Sequence, residues 1–246
     1  MNTSSSTAPD PIRLGILQTG RTPEGMIQFN DDYHQLFVKL LGESEFDYRH
    51  WVILDNDFPD SIDDADAWLI TGSRYGAYED HDWIPPLEYF IRQVFAAGQP
   101  MVGICFGHQV IAQALGGKVE KFSGGWSVGR VEYALDHGVF ADAAIADGST
   151  PLMAFHQDQV VEAPETAVTV GRTDFCKHAA LLYDNRILTI QPHPEFDKGF
   201  VGDLLDARGD VLPVAIKDGA LQTLDQPLSR DPVAQTLRNF LQRKRS

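Results

Sequence analysis

The sequence predicts an α/β fold in which a mostly parallel central sheet is covered by helices on both faces and carries an added antiparallel strand region. Three observations support this. Apolar runs of strand length at residues 12–18, 67–71 and 101–104 alternate with segments of helical periodicity, the pattern of a parallel sheet with crossover helices. The runs at 67–71 and 101–104 read as buried strands. From Pro151 onward the pattern changes to short strands at 152–155, 159–162, 167–171, 179–183 and 187–191, a spacing that suggests antiparallel additions folded over the edge of the parallel sheet.

Taken in order, residues 1–11 are polar and Ser/Thr-rich, with neither a basic block nor an apolar core, and read as a disordered leader and not a signal peptide. Residues 12–246 read as one domain, a length that a single α/β core accommodates. The first strand, 12–18, gives way to a loop through Gly20 and Gly25. Asp31 or Asp32 can cap a helix whose apolar face includes Leu36, Phe37, Leu40 and Leu41, and Gly42 ends it. A strand at 46–54, an acidic connection at 55–66 and the buried strand at 67–71 follow. The helix at 83–97 tolerates Pro85 and Pro86 in its first turn and stops at Gly98. After the strand at 101–104 comes an apolar helix at 110–115, halted by Gly116 and Gly117. A strand at 118–122, a second glycine-rich loop at 123–129, an extended 130–135 and an Ala- and Asp-rich linker or short helix at 136–149 lead into the strand-rich part. Helices near 198–207 and 233–243 complete the chain.

The chemistry concentrates at two places. Gly103-Ile104-Cys105-Phe106-Gly107 has glycines two residues either side of a cysteine, with a strand before and a helix after. That is nucleophile-elbow spacing: a sharp turn holds the nucleophile in a strained conformation, and larger side chains at Gly103 and Gly107 would clash across it. The helix start beside Cys105 favours thiolate over thiol, and the Phe106 N–H is a natural donor to an oxyanion. Thr71-Gly72-Ser73 lies at the carboxyl end of a parallel strand, where open sheets bind ligands, so Gly72 and Ser73 are candidates for the second oxyanion donor. The other place is Pro192-His193-Pro194-Glu195, where two prolines make a rigid extended hook. Residues two apart on extended backbone share a face, so Glu195 can bond one imidazole nitrogen of His193 and leave the other for a thiol.

Composition narrows the classes. A net charge of −15 and a pI near 4.8 argue against nucleic-acid and anionic-membrane partners, which require clustered Lys and Arg. No run approaches the roughly 18 apolar residues that a membrane span needs. Two cysteines, one of them required as a free thiol, suit a reducing compartment, and a cytoplasmic location is expected. No histidine or cysteine spacing matches a metal-ligand signature, and neither glycine-rich loop has nucleotide-binding order, so no metal and no cofactor are expected.

Gly103-Ile104-Cys105-Phe106-Gly107-His108-Gln109, His156-Gln157-Asp158-Gln159-Val160 and Pro192-His193-Pro194-Glu195 together resemble the class I (triad) glutamine amidotransferase domain, from the first strand to Glu195. The resemblance implies a flavodoxin-like three-layer αβα sheet with Cys105 as nucleophile, His193 as general base and Glu195 as its orienter. It also implies hydrolysis of a γ-glutamyl amide through a γ-glutamyl thioester. Phe106 and the Gly72-Ser73 loop would supply the oxyanion hole, and Gln109, Trp126 and Ser127 would lie near the α-amino and α-carboxylate groups of the substrate. The family's loop usually reads Gly-Gly-Pro where this chain has Gly72-Ser73-Arg74. The expected ligand is glutamine or another γ-glutamyl compound. Such domains commonly pass ammonia to a synthase, and no stretch here has the length or nucleotide motif for one, so any acceptor would be a separate subunit. Stand-alone members with a Thr-Gly-Ser loop include γ-glutamyl peptidases acting on glutathione conjugates. A partner-dependent regulatory subunit without catalysis is the reading from a different class. An α/β-hydrolase with a cysteine elbow fits less well, because there the acid precedes the histidine.

Overall fold

The computed structural model describes residues 11–141 and 149–245. Its first half runs β1 (Arg13–Gln18), α1 (Glu24–Ile27), α2 (Tyr33–Leu41), β2 (Asp47–Val52), β3 (Ala67–Ile70), α3 (Ile84–Ala96), β4 (Met101–Ile104) and α4 (Phe106–Ala114). Then come β5 (Lys118–Lys121), β6 (Ser127–Leu135), β7 (Thr150–His156), β8 (Asp158–Glu162), β9 (Ala167–Arg172), β10 (Ala180–Tyr183) and β11 (Ile187–Ile190). Helices α5 (Lys198–Arg208), α6 (Val214–Thr223) and α7 (Arg230–Leu241) follow. The leader falls outside the described residues up to residue 10, as does half of the expected 136–149 linker, from 142 to 148.

Side-chain alternation sorts the sheet's two faces. Leu14 and Ile16 of β1, Leu69 of β3, Val102 and Ile104 of β4, and Leu188 and Ile190 of β11 join Phe37 and Leu41 of α2 and Leu237 and Phe240 of α7. The residues between them, Leu17, Trp68, Ile70, Met101 and Ile187, join α3 and α4 on the opposite face. Three layers result, with the sheet in the middle. A third apolar cluster ties α5 and Ala220 of α6 to Tyr33, Met153 and Phe196. No described helix is long and apolar enough to cross a membrane.

Nine strands form one sheet in the order β2-β1-β3-β4-β11-β10-β9-β6-β7, and β5 pairs with β8 in a separate antiparallel ribbon. From β2 to β11 every pairing is parallel, and from β11 to β7 every pairing is antiparallel. Two expectations are corrected here. The antiparallel strands continue the sheet from β11 and do not fold over its edge, and 187–191 is not one of them with respect to its parallel neighbour. β10 and β11 are joined by residues 184–186, with Asp184 and Asn185 at positive φ (45 and 57) and the Arg186 N–H donating to Tyr183 O at 2.8 Å, the geometry of a tight hairpin. Because β10 makes that reversal, β11 emerges parallel to β4, with Ile190 opposite Ile104.

Two local boundaries also differ. The helix after the elbow starts at Phe106 and not at Val110, because the turn at Cys105 feeds directly into it. Strand β6 begins at Ser127, inside the expected glycine-rich loop. Gly129 sits there at φ 88, and a Cβ on it would lie 2.8 Å from Cα of Ala220, so the glycine is the place where α6 approaches the strand. The capping choice is settled by hydrogen bonding: Asp32 closes a capping box with Gln35 and also accepts from the Thr22 N–H and from Gln18 Nε2.

Candidate active site

The elbow is strained, and its neighbours hold it. Cys105 has φ 53 and ψ −101, a region that L residues rarely occupy. Its N–H donates to the Ile190 carbonyl at 2.9 Å, the Gln109 N–H donates to its carbonyl at 3.0 Å, and the Gly107 N–H donates to Thr71 O at 3.2 Å. A Cβ on Gly103 would lie 2.6 Å from the Gly107 carbonyl oxygen, and one on Gly107 would lie 2.4 Å from the Ile70 carbonyl oxygen. The two glycines are therefore required by backbone packed against backbone. The N–H groups of Phe106, Gly72 and Ser73 donate to no protein atom among the described residues. Amide hydrogens free in this way beside a nucleophile are what an oxyanion hole needs.

The hook arrives from the next strand. Beyond β11, the Gln191 N–H donates to Ala179 O and the His193 N–H to Met153 O, each at 2.8 Å, which turns the chain over the end of β4. His193 Nδ1 lies 2.6 Å from Glu195 Oε1, with both side chains almost wholly buried. The Phe196 ring stacks on the imidazole, centroids 4.1 Å apart and planes 3° from parallel, and Tyr33 meets Phe196 edge-on at 6.0 Å. From the start of α7, Arg230 donates through Nε to Pro194 O at 2.8 Å and through Nη2 to Glu195 O at 3.0 Å. A methyl group on Gly72 would lie 3.0 Å from His193 Cε1 and 3.7 Å from Cys105 Cβ, so the two side chains flank the same point. Burial, the largest influence on His193, pulls its pKa down. The charges of Glu195 and Cys105, and hydrogen bonds to both, outweigh it and raise the imidazole from 6.5 to about 10.

A cleft of about 220 Å³ opens over these groups. Cys105, His193, Ser73, Gln109 and Trp126 line it. Glu195 stands behind the imidazole, and Phe106 packs beneath in the core. Ser127, opposite His156 in the β6–β7 register, is not part of the wall. Gln109 does more than face the cleft: its Nε2 donates to Asp158 O at 2.9 Å and Gln191 Oε1 at 3.1 Å, bracing α4 against β8 and the end of β11.

Several site residues escaped sequence reasoning. Tyr33, Phe196, Arg208 and Arg230 belong to no motif that the sequence shows. His156 is placed by the His-x-Asp resemblance, but its state is not. It is buried with Nδ1 3.2 Å from Asp158 O, and its Nε2 has no partner among the described residues. Burial lowers its pKa to about 4, with the charge of His193 acting in the same direction. The cleft thus holds one imidazole that favours a proton and one that rejects it.

Comparison with known proteins identifies the family. The family model for glutamine amidotransferase class-I matches residues 26–203. Gamma-glutamyl peptidase 5 of Arabidopsis thaliana is 32% identical over 181 residues, covering 71% of this chain and 72% of that protein. The glutamine-hydrolyzing GMP synthase of Shewanella woodyi is 32% identical over 157 residues, which is 57% of this chain but 30% of that protein. The crystal structure of a glutamine amidotransferase from Thermotoga maritima has the same fold, with a TM-score of 0.76 at 16% identity over 95% of this chain and all of that one. With the flavodoxin-like architecture shared at this level and the family model spanning the elbow and the hook alike, the chain belongs to the glutamine amidotransferase class-I family.

Proposed function

We propose that this protein is a cysteine-dependent hydrolase of γ-glutamyl amides. The sulfur of Cys105 attacks the γ-carbonyl carbon, the oxygen takes the developing negative charge, and the Phe106 and Gly72-Ser73 N–H groups hold it. The His193 imidazolium gives its proton to the departing nitrogen, leaving a γ-glutamyl thioester on Cys105. Water then adds to the thioester carbonyl as His193 takes its proton, and glutamate leaves with the thiol restored. Glu195 fixes the imidazole through Nδ1 and leaves Nε2 free for these transfers. Gln109 and Trp126 contribute the wall against which the α-amino and α-carboxylate groups rest.

One observation carries the reading: a cysteine at φ 53 on a helix start faces an imidazole whose far nitrogen is held 2.6 Å from a buried carboxylate. Measuring glutamate release from glutamine, γ-glutamyl dipeptides and glutathione, with mass spectrometry of the trapped adduct, tests it. Release from at least one substrate by the wild type, with a γ-glutamyl adduct on the Cys105 peptide, is the expected result. No release from any of them overturns it.

Within this reading, a γ-glutamyl peptidase is favoured over an ammonia-supplying subunit. The peptidase relative aligns over nearly three quarters of both chains, whereas the synthase match covers 30% of its protein. Glutamine turnover that rises only when a separate synthase subunit is added would favour the ammonia-supplying role instead. A non-catalytic regulatory role is excluded by turnover of the isolated protein.

A further inference from the structure

Charges of both signs line the cleft. Glu79 and Asp158 stand there with Gln109, Lys121 is opposite Asp158 in the β5–β8 register, and Arg74 is also in the wall. The end of α5 brings Leu204 and Arg208 into the same lining as Tyr33 and Phe196. Arg208 is half-buried, and its side chain makes no hydrogen bond or ion pair with any described residue. Other guanidiniums find carboxylates or other acceptors, as Arg13 does with Asp66 at 2.6 Å, Arg130 with Glu132 at 2.6 Å and Arg74 with the Tyr75 hydroxyl at 2.8 Å. Five donors partly withdrawn from water without an acceptor are unfavourable unless an anion arrives from outside. A position in the last turn of α5 suits a cation, but the helix dipole does not call for the side chain to form the wall of a cleft.

Reaction geometry says which end of the substrate meets Arg208. The departing nitrogen must face His193, because the imidazolium protonates it. Whatever that nitrogen carries extends across Phe196, stacked on the imidazole, and Tyr33, edge-on to Phe196. Tyr33, Arg208 and Cys105 line the same cleft. The carboxylates of Glu79 and Asp158, in the same cleft, are then the available partners for the α-ammonium group of the glutamyl part.

We propose that Arg208 receives the carboxylate of the leaving amino acid or peptide, and so selects γ-glutamyl compounds bearing such a carboxylate over glutamine, whose leaving group is ammonia. This rests on the reading of Cys105 and His193 as a hydrolytic pair. A charge-assisted pair of this kind is worth about tenfold or more in binding.

Steady-state kinetics with γ-glutamylglycine, γ-glutamylglycinamide and glutamine test it in the wild type, Arg208→Gln and Arg208→Lys. Wild type should show kcat/KM at least about tenfold higher for the free acid than for its amide. Arg208→Gln should erase that preference by raising KM for γ-glutamylglycine alone, with glutamine turnover and adduct formation on Cys105 unchanged, and Arg208→Lys should restore part of it. Equal turnover of acid and amide by the wild type, or an Arg208→Gln defect that is the same for all three substrates, overturns the assignment while leaving the hydrolase standing. Turnover of none of the three by the wild type overturns the hydrolase reading and this one with it.

Discussion

The two halves of the large sheet do different work, and each carries one cysteine. In the parallel half, β3, β4 and β11 are buried at every position, and the ends of β4 and β11 deliver Cys105 and His193 side by side. In the antiparallel half, β9 exposes several residues, and Cys176 lies in the turn between β9 and β10. Both cysteines are buried free thiols. Burial pushes Cys176 up to about 12, an inert state. The difference teaches what the proposed reading of Cys105 rests on: not burial, which both cysteines share, but a backbone turn, a helix start and an oriented imidazole. Strands covered on both faces can hold those three parts in place, whereas strands open on one face can vary and shape a wall.

The largest effect should therefore separate the two cysteines. Cys105→Ala is expected to lower turnover by about 10⁴-fold or more, as loss of a nucleophile does. Cys176→Ala should keep kcat within a few-fold and cost about 1 kcal/mol in a urea melt. Comparable losses in both variants would erase the contrast between the halves.

Glycine substitutions sharpen the same contrast in stability. Gly107→Ala places a methyl against the Ile70 carbonyl, which cannot move without distorting β3, and should cost about 3 kcal/mol. Gly171→Ala in β9 meets the Leu135 Cδ2 and Ala180 Cβ atoms, which can give, and should cost about 1 kcal/mol. Chemical denaturation of the two variants measures the gap.

The halves should also titrate in opposite senses. His193, raised to about 10, contributes stability that is complete below pH 6.5 and is lost as pH climbs from 6.5 toward 10. His156 at the end of β7, lowered to about 4, contributes stability that is complete above pH 6.5 and is lost as pH falls from 6.5 toward 4. Melting temperature against pH should decline on both flanks. His156→Gln should flatten the acid flank by up to about 3 kcal/mol, and an unchanged acid flank in that variant counts against a buried neutral His156. The smallest effect is expected at Arg230, where Arg230→Ala loosens the carbonyls on either side of the acid. A roughly tenfold fall in kcat with KM unchanged is the expected signature, read from full saturation curves.

Much of this was legible in the sequence because it depends on near neighbours along the chain. The glycine at 103 reports a clash with the Gly107 carbonyl four residues on, and the two prolines around His193 fix backbone that no partner is needed to fix. The strand direction of β11 was not legible. It depends on whether the Asp184-Asn185 turn reverses one strand earlier, and a short apolar run reads the same in either direction. The start of α4 was hidden by Gly107, His108 and Gln109, which look like a polar loop. They sit buried inside the helix because His108 Nδ1 lies 2.7 Å from Thr189 Oγ1, and Gln109 finds Asp158 and Gln191. Arg230 and Arg208 were unreadable for the same reason, since their partners lie far away along the chain or in a ligand.

The Asp184-Asn185 turn has a further consequence. It is exposed, and it lies at the end of the β10–β11 hairpin away from the cleft. Opening the chain there yields fragments 1–184 and 185–246, the longer carrying the sulfur and the shorter the imidazole, joined across the β4–β11 seam. Glutamate production on mixing the two pieces would then serve as a readout of complementation, reporting the docking of one edge on another with no label attached.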